Sequence, residues 1–184
     1  MTEHKPLFVD LDGTLIKEDL SNLAFQNSLR TNPLLTVVYL IIFLFRGKAY
    51  LKEKISMNYQ VPINKLKFNS NCINFIKEVK NRHRVVYLIS GSHQCLVDQI
   101  NNHLKIFFEV FGTNKKYNMV GLNKVKFIKE KLNFQKFDYI GNSHKDIPIW
   151  EYTENIIYTN VNKKLKMYIL KKEINQTEII DNFI

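Results

Sequence analysis

Apolar and polar positions along this 184-residue chain follow two alternating rhythms. Residues 6–11 (PLFVDL) form a short apolar run that ends in acidic residues and Gly13, the pattern of a buried strand delivering side chains to a loop. Three stretches with helical spacing follow, Asp19 to Leu29, Pro33 to Phe45 and Lys48 to Met57, the second opening on proline. Asn69 to Lys80 carries Cys72, Ile73, Phe75, Ile76 and Val79 at helical spacing and runs into the continuous apolar, β-rich segment Val85 to Ile89. The rhythm then repeats as helix Gln94 to His103, strand Phe107 to Phe111, helix Lys124 to Leu132, strand Phe137 to Ile140, short helix His144 to Tyr152 and strand Asn155 to Tyr158. Strands alternating with helices imply βαβ crossovers, so the expected class is α/β, a parallel sheet with helices on both faces. The helices between the first strand and Asn69 read as one all-helical insertion. That divides the chain into a core, 1–15 and 66–184, and a small helical cap, 16–65. The Lys-rich tail carries one expected helix, Lys163 to Lys171, and no assigned chemistry.

With 45% hydrophobic and 24% charged residues, the composition excludes disorder, a collagen-like repeat and a disulfide scaffold. Cys72 and Cys95 stand in no CxxC or Cys/His spacing, which suggests neither a zinc site nor a disulfide and makes a reducing, cytoplasmic setting the expectation. The start runs straight into a short apolar strand, unlike the long apolar region of a secretory signal. The net charge of +10 comes from 27 basic residues of which only Arg30, Arg46, Arg82 and Arg84 are arginines, so an arginine-rich reading surface is missing and no nucleic-acid partner is expected. Leu34 to Phe45 is apolar nearly all round, but as a helix it covers about 18 Å, short of the roughly 30 Å hydrocarbon core.

Ligands of doubly wound parallel sheets bind beyond the carboxyl ends of the strands. The first strand ends in Asp10-Leu11-Asp12-Gly13-Thr14-Leu15, and alternation sends Asp10 and Asp12 the same way. Two carboxylates so placed repel one another unless a cation joins them. The second strand ends in Ser90-Gly91-Ser92, a hydroxyl and a flexible turn before a helix, a natural place for an anion. The strand Phe137 to Ile140 ends in Gly141-Asn142-Ser143-His144-Lys145-Asp146, and Lys124 opens a helix after Gly121-Leu122-Asn123.

DxDGTL after the first strand, Ser after the second, a helix-opening Lys and G-N-x-x-x-D after a later strand resemble the four motifs of the haloacid dehalogenase (HAD) superfamily, over residues 6–158. The resemblance implies a Rossmann-like sheet and a magnesium-dependent phosphohydrolase. By match to the motifs, Asp10 is implied as the nucleophile that forms an aspartyl-phosphate, and Asp12 as the acid that protonates the leaving alcohol and later takes a proton from water. Magnesium is implied to bridge the Asp10 carboxylate, the Asp12 carbonyl, Asn142 and Asp146, while Ser90, the Gly91 amide and Lys124 hold the phosphoryl oxygens. Segments 46–55, 118–128 and 137–150 are also similar to the HAD domain at the amino end of some UbiA-superfamily prenyltransferases.

Asn142 departs from the superfamily pattern, which has a metal-binding Asp there; an amide oxygen brings no charge, so metal affinity should fall. Each residue also has a plainer reading: Ser90 as a helix N-cap, Lys124 as a solvated first-turn lysine, Asn142 as a turn residue, and Asp146 as a group that orients Lys124 without touching metal. His93 and His144 read as loop polar residues. Leu34 to Phe45 is either buried between cap and neighbour or meets lipid, with Arg46, Lys48, Lys52 and Lys54 at anionic headgroups. The substrate is accordingly a small-molecule or lipid-linked phosphate ester, with peripheral placement at the inner face of the membrane in the second case. A different class stays open: a non-catalytic module bound through its apolar cap to a membrane prenyltransferase or another partner.

Overall fold

The computed structural model describes residues 5–184, apart from the side chains of Lys48 and Ala49. The signal-peptide reading of the first residues and the headgroup role of Lys48 therefore lie outside the described residues. Six parallel strands form one sheet in the order β3-β2-β1-β4-β5-β6: β1 Leu7–Val9, β2 Val86–His93, β3 Glu109–Thr113, β4 Asp138–Gly141, β5 Asn155–Thr159 and β6 Asn175–Ile179. All three residues of β1 are buried, as an uninterrupted apolar run requires when helices cover both faces of a sheet. Alternation splits it: Leu7 and Val9 join one core with Cys72, Ile76, Leu96 and Ile100, whereas Phe8 joins another with Ile128, Trp150 and Leu165. The first core rests on α3 Ser70–Asn81 and α4 Gln94–Leu104, the second on α5 Leu122–Lys126, α6 Ile147–Trp150 and α7 Lys163–Leu170. β1 pairs with β2 on one side and β4 on the other, so the strand order reverses there and opens a crevice at the tip of β1.

Several boundaries differ from the sequence expectation. β2 runs on through Ser90-Gly91-Ser92 to His93, and its register against β3 shifts between Ile89 and His93. That irregularity carries the strand tip into the crevice and leaves His93, not Ser90, as the N-cap of α4. α5 begins at Leu122, two residues before Lys124, and continues as a π-helical turn over Phe127–Lys131. The expected helix at His144 to Tyr152 is a 3-10 turn, His144–Asp146, followed by α6. β6 was not expected; its sequence NQTEI is too polar to announce a strand, and only an edge position tolerates that.

Between β1 and α3 lie two helices, α1 Leu20–Thr31 and α2 Pro33–Met57. Asp19 caps α1 by accepting a hydrogen bond from Asn22 N at 2.9 Å, and Pro33 opens α2 one residue past Asn32. Gly47, at φ 78° and ψ 176°, breaks α2 at the boundary expected between two helices. The two connections to this hairpin run side by side, with Ile16 bridging Phe68 and Asn69 N donating to Leu15 O at 2.9 Å. Asn69 is fully buried; its amide donates to Thr14 O at 3.2 Å and Thr159 Oγ1 at 3.0 Å, while its oxygen caps α3 through Cys72 N.

Candidate active site

The crevice at the tip of β1 is a cavity of about 400 Å³ lined by residues of the sheet tips and of the helical hairpin. Asp10 and Asp12 reach it from β1, Gly91 from β2, Lys124 from α5, Asn142 and Asp146 from the loop after β4, and Ser21, Asn22 and Lys52 from α1 and α2. The structure thus gathers around one cavity six of the seven residues singled out by sequence. The seventh, Ser90, is fully buried beneath it: its hydroxyl donates to Asp12 Oδ2 at 3.2 Å and accepts from Ser92 N at 3.0 Å.

Lys124 is only 3% exposed, which removes its reading as a solvated lysine. Its ammonium lies 2.7 Å from Asp10 Oδ1 and donates to Tyr139 Oη, also at 2.7 Å. The Tyr139 hydroxyl in turn donates to Asp146 Oδ1 at 2.7 Å, so a buried chain runs Asp146–Tyr139–Lys124–Asp10. A buried ammonium needs such partners on every side, and this chain fixes its direction. Burial pushes the Asp10 carboxyl up to about 7, with Lys124 opposing and Asp146 and Asp12 reinforcing the rise. Burial likewise holds Tyr139 well above the ordinary phenol range, keeping it a donor.

Asp12 faces a different set of partners. Its Oδ1 accepts the first N–H of α1, Leu20 N, at 2.9 Å, and its Oδ2 accepts Ser92 Oγ at 2.7 Å. Burial raises its proton affinity above the ordinary carboxylate value, while the bonds from Leu20, Ser92 and Ser90 hold it partly down and Asp19 adds to the rise. A carboxyl so poised suits proton transfer.

Both oxygens of Asp146 are engaged. Oδ2 accepts Asn142 N at 3.0 Å, Ser143 N at 2.9 Å and Ser143 Oγ at 3.0 Å, while Oδ1 holds Tyr139. It shapes the loop that presents Asn142 and steadies Lys124 through Tyr139. Asn142 lies against Gly13, where an added Cβ would overlap its Nδ2 and where φ is +79°, so only glycine lets the β1 loop close on it.

Sequence reasoning missed Tyr139, Ser92 and Lys52. Lys52, expected at anionic headgroups only if the apolar helix meets lipid, turns its ammonium inward and donates to Gly91 O at 2.8 Å. Lys52 and Gly91 are separated by 39 residues, and no local pattern joins them. His93 and His144 stay outside the cavity lining, but neither is the loop residue expected: His93 ends β2 and caps α4, and His144 opens the 3-10 turn.

No family model matches the chain. Among curated proteins, the uncharacterized protein y4nM of Sinorhizobium fredii (strain NBRC 101917 / NGR234) is 32% identical over 154 residues, which are 79% of this chain and 28% of that protein. The chain thus spans 28% of the length of the relative it matches. Among solved structures, a protein of unknown function from Bordetella pertussis Tohama I aligns with a TM-score of 0.70 at 12% identity, covering 97% of this chain and 100% of that one. A HAD-family hydrolase from Salmonella enterica serovar Typhi aligns at 0.65 with 13% identity over 97% of this chain and 68% of its own. A substrate-bound phosphoserine phosphatase aligns at 0.56 with 17% identity over 98% and 96%. The sheet order, the crevice at β1 and these alignments together give the chain the fold of the haloacid dehalogenase superfamily hydrolases.

Proposed function

We propose that the chain is a magnesium-dependent phosphomonoester hydrolase working through an aspartyl-phosphate on Asp10. The observation that carries this reading is the buried Asp10–Lys124 pair at 2.7 Å, set at the switch point of the sheet with Asp12 two residues on. Phosphoryl transfer asks for a nucleophile, neutralised phosphoryl oxygens and a proton for the leaving oxygen. The Asp10 oxygen not held by Lys124 attacks phosphorus as the bond to the ester oxygen breaks, and Asp12 gives its proton to the departing alkoxide. Water then attacks the aspartyl-phosphate, Asp12 takes the proton back, and inorganic phosphate leaves with Asp10 restored. Lys124, aimed by Tyr139 and Asp146, offsets charge on the phosphoryl oxygens.

The donors fit a hard divalent cation in kind: the Asp10 carboxylate, the Asp12 carbonyl, which accepts no hydrogen bond among the described residues, and the Asn142 amide oxygen. Among the described residues no group of three or more acidic, His or Cys side chains is gathered as a metal cluster. Bound magnesium supplies the charge neutralisation that lets a carboxylate approach a phosphate dianion. The helical hairpin over the cavity, with Ser21, Asn22 and Lys52 on its inner side, acts as the cap that selects the alcohol part of the ester. An amphipathic or lipid-linked ester is the finer reading, supported by the apolar composition of α2.

The test is phosphate release from a panel of phosphomonoesters, polyprenyl phosphates included, with and without magnesium. Turnover that needs magnesium and disappears in Asp10→Asn is the expected result. Failure of the folded, magnesium-supplied protein to hydrolyse any ester would overturn the reading.

A further inference from the structure

Between Asp19 and Glu53 the chain contains no acidic residue, whereas Arg30, Arg46, Lys48 and Lys52 all fall in that run. In the fold this run is the α1–α2 hairpin. Its inner side is satisfied: Thr36 is buried with its hydroxyl 2.6 Å from that of Ser28, and Tyr39 packs on the core. Its outer side is apolar. Leu34, Val37, Ile41 and Leu44 recur at helical spacing with Val38 and Phe45 beside them, and Leu34, Leu44 and Phe45 are 83%, 75% and 85% exposed.

A helix whose solvent face is its apolar face needs a cover. The charges at the ends of this stripe say which. Arg46 follows it directly and stacks over Tyr50 with its guanidinium 5.4 Å from the ring centre, and exposed Arg30 stands three residues before Pro33. Cations at both ends, and no carboxylate in the intervening chain, complement a surface that is apolar within and anionic at its boundary. No helix among the described residues is long and apolar enough to cross a membrane, and the stripe covers only about 18 Å.

We propose that this face of α2 docks in the plane of an anionic lipid bilayer, its apolar side chains lying below the headgroups and Arg30 and Arg46 at the lipid phosphates. Lys52, turned to Gly91, takes no part. The proposal does not depend on the hydrolase reading, since it concerns the outer side of the hairpin and is read without any substrate.

Flotation of the full chain with vesicles of phosphatidylcholine alone, and of phosphatidylcholine with phosphatidylglycerol at about 3:1, tests it. Binding to the anionic vesicles, weakened by salt and lost in Leu44→Glu with Phe45→Glu, is expected. Arg30→Gln with Arg46→Gln should lower the partition coefficient about twenty-five-fold, roughly fivefold for each cation. All four side chains are exposed, so circular dichroism of the variants should match the parent. Absence of binding to the anionic vesicles would overturn the proposal. So would binding that survives the Leu44 and Phe45 changes, or a dimer in light scattering that the same pair of changes splits into monomers without any vesicle binding by the parent.

Discussion

Asn142 stands against Gly13 at the mouth of the cavity with an amide where a carboxylate would bring charge. Asn142→Asp should tighten apparent magnesium affinity roughly tenfold, the scale of one added charge at close range in a partly screened site. Magnesium titration of phosphate release, or of the melting temperature, reads the change. Tyr139 joins Lys124 to Asp146, so Tyr139→Phe leaves two buried charged groups each short of a partner. It should cost about 1–3 kcal/mol in denaturant unfolding and lower turnover further, because the ammonium is no longer aimed. Asp10, Asp12 and Lys124 were legible in the sequence because their spacing follows strand tips and a helix start. Tyr139 was not, since an aromatic residue in an apolar strand reads as core and nothing local shows that its hydroxyl meets a lysine 15 positions away.

Gly47 divides α2 into an outward apolar half and a half whose Lys52 reaches the cavity. Its φ of 78° and ψ of 176° are open to glycine, while space around it is free, so the constraint is conformational and not steric crowding by neighbours. Gly47→Ala should therefore cost about 1–3 kcal/mol by denaturant unfolding, as strained backbone of this kind does. A straightened α2 would also withdraw Lys52 from Gly91, visible as a raised KM for ester substrates. The break between Phe45 and Lys48 was legible from glycine and the change from apolar to basic composition. The extension of β2 through Ser90-Gly91-Ser92 was not, because a small polar tripeptide after an apolar run reads as a turn and only pairing with β3 keeps it in the sheet. β6 was hidden for the same reason: edge strands take polar sequences, and its partner β5 supplies the pattern.

At the scale of the whole molecule, the hairpin and the sheet meet at one buried residue. Asn69 holds Thr14, Thr159 and the start of α3 together where both connections of the hairpin return to the core. Asn69→Ala should cost at least about 2 kcal/mol, and limited proteolysis should then cut first in 58–68, the segment that loses its anchor. The alternation of strands and helices made the parallel sheet legible without any contact information, whereas this junction joins residues 55 and 90 positions apart and could be seen only in three dimensions. A second junction, at Asp12, has a different outcome. One of its oxygens is held by the first amide of α1 and the other by serines of β2, so moving the hairpin and changing the acidity of this carboxyl are a single event. Burial does most to raise the proton affinity of Asp12 and the Leu20 amide does most to oppose it, so a hairpin swung away from the sheet would exchange both for solvent and bring Asp12 back toward the ordinary carboxylate value. The carboxyl carbon resonance of Asp12 is then a gauge of cap position that needs no label on the cap.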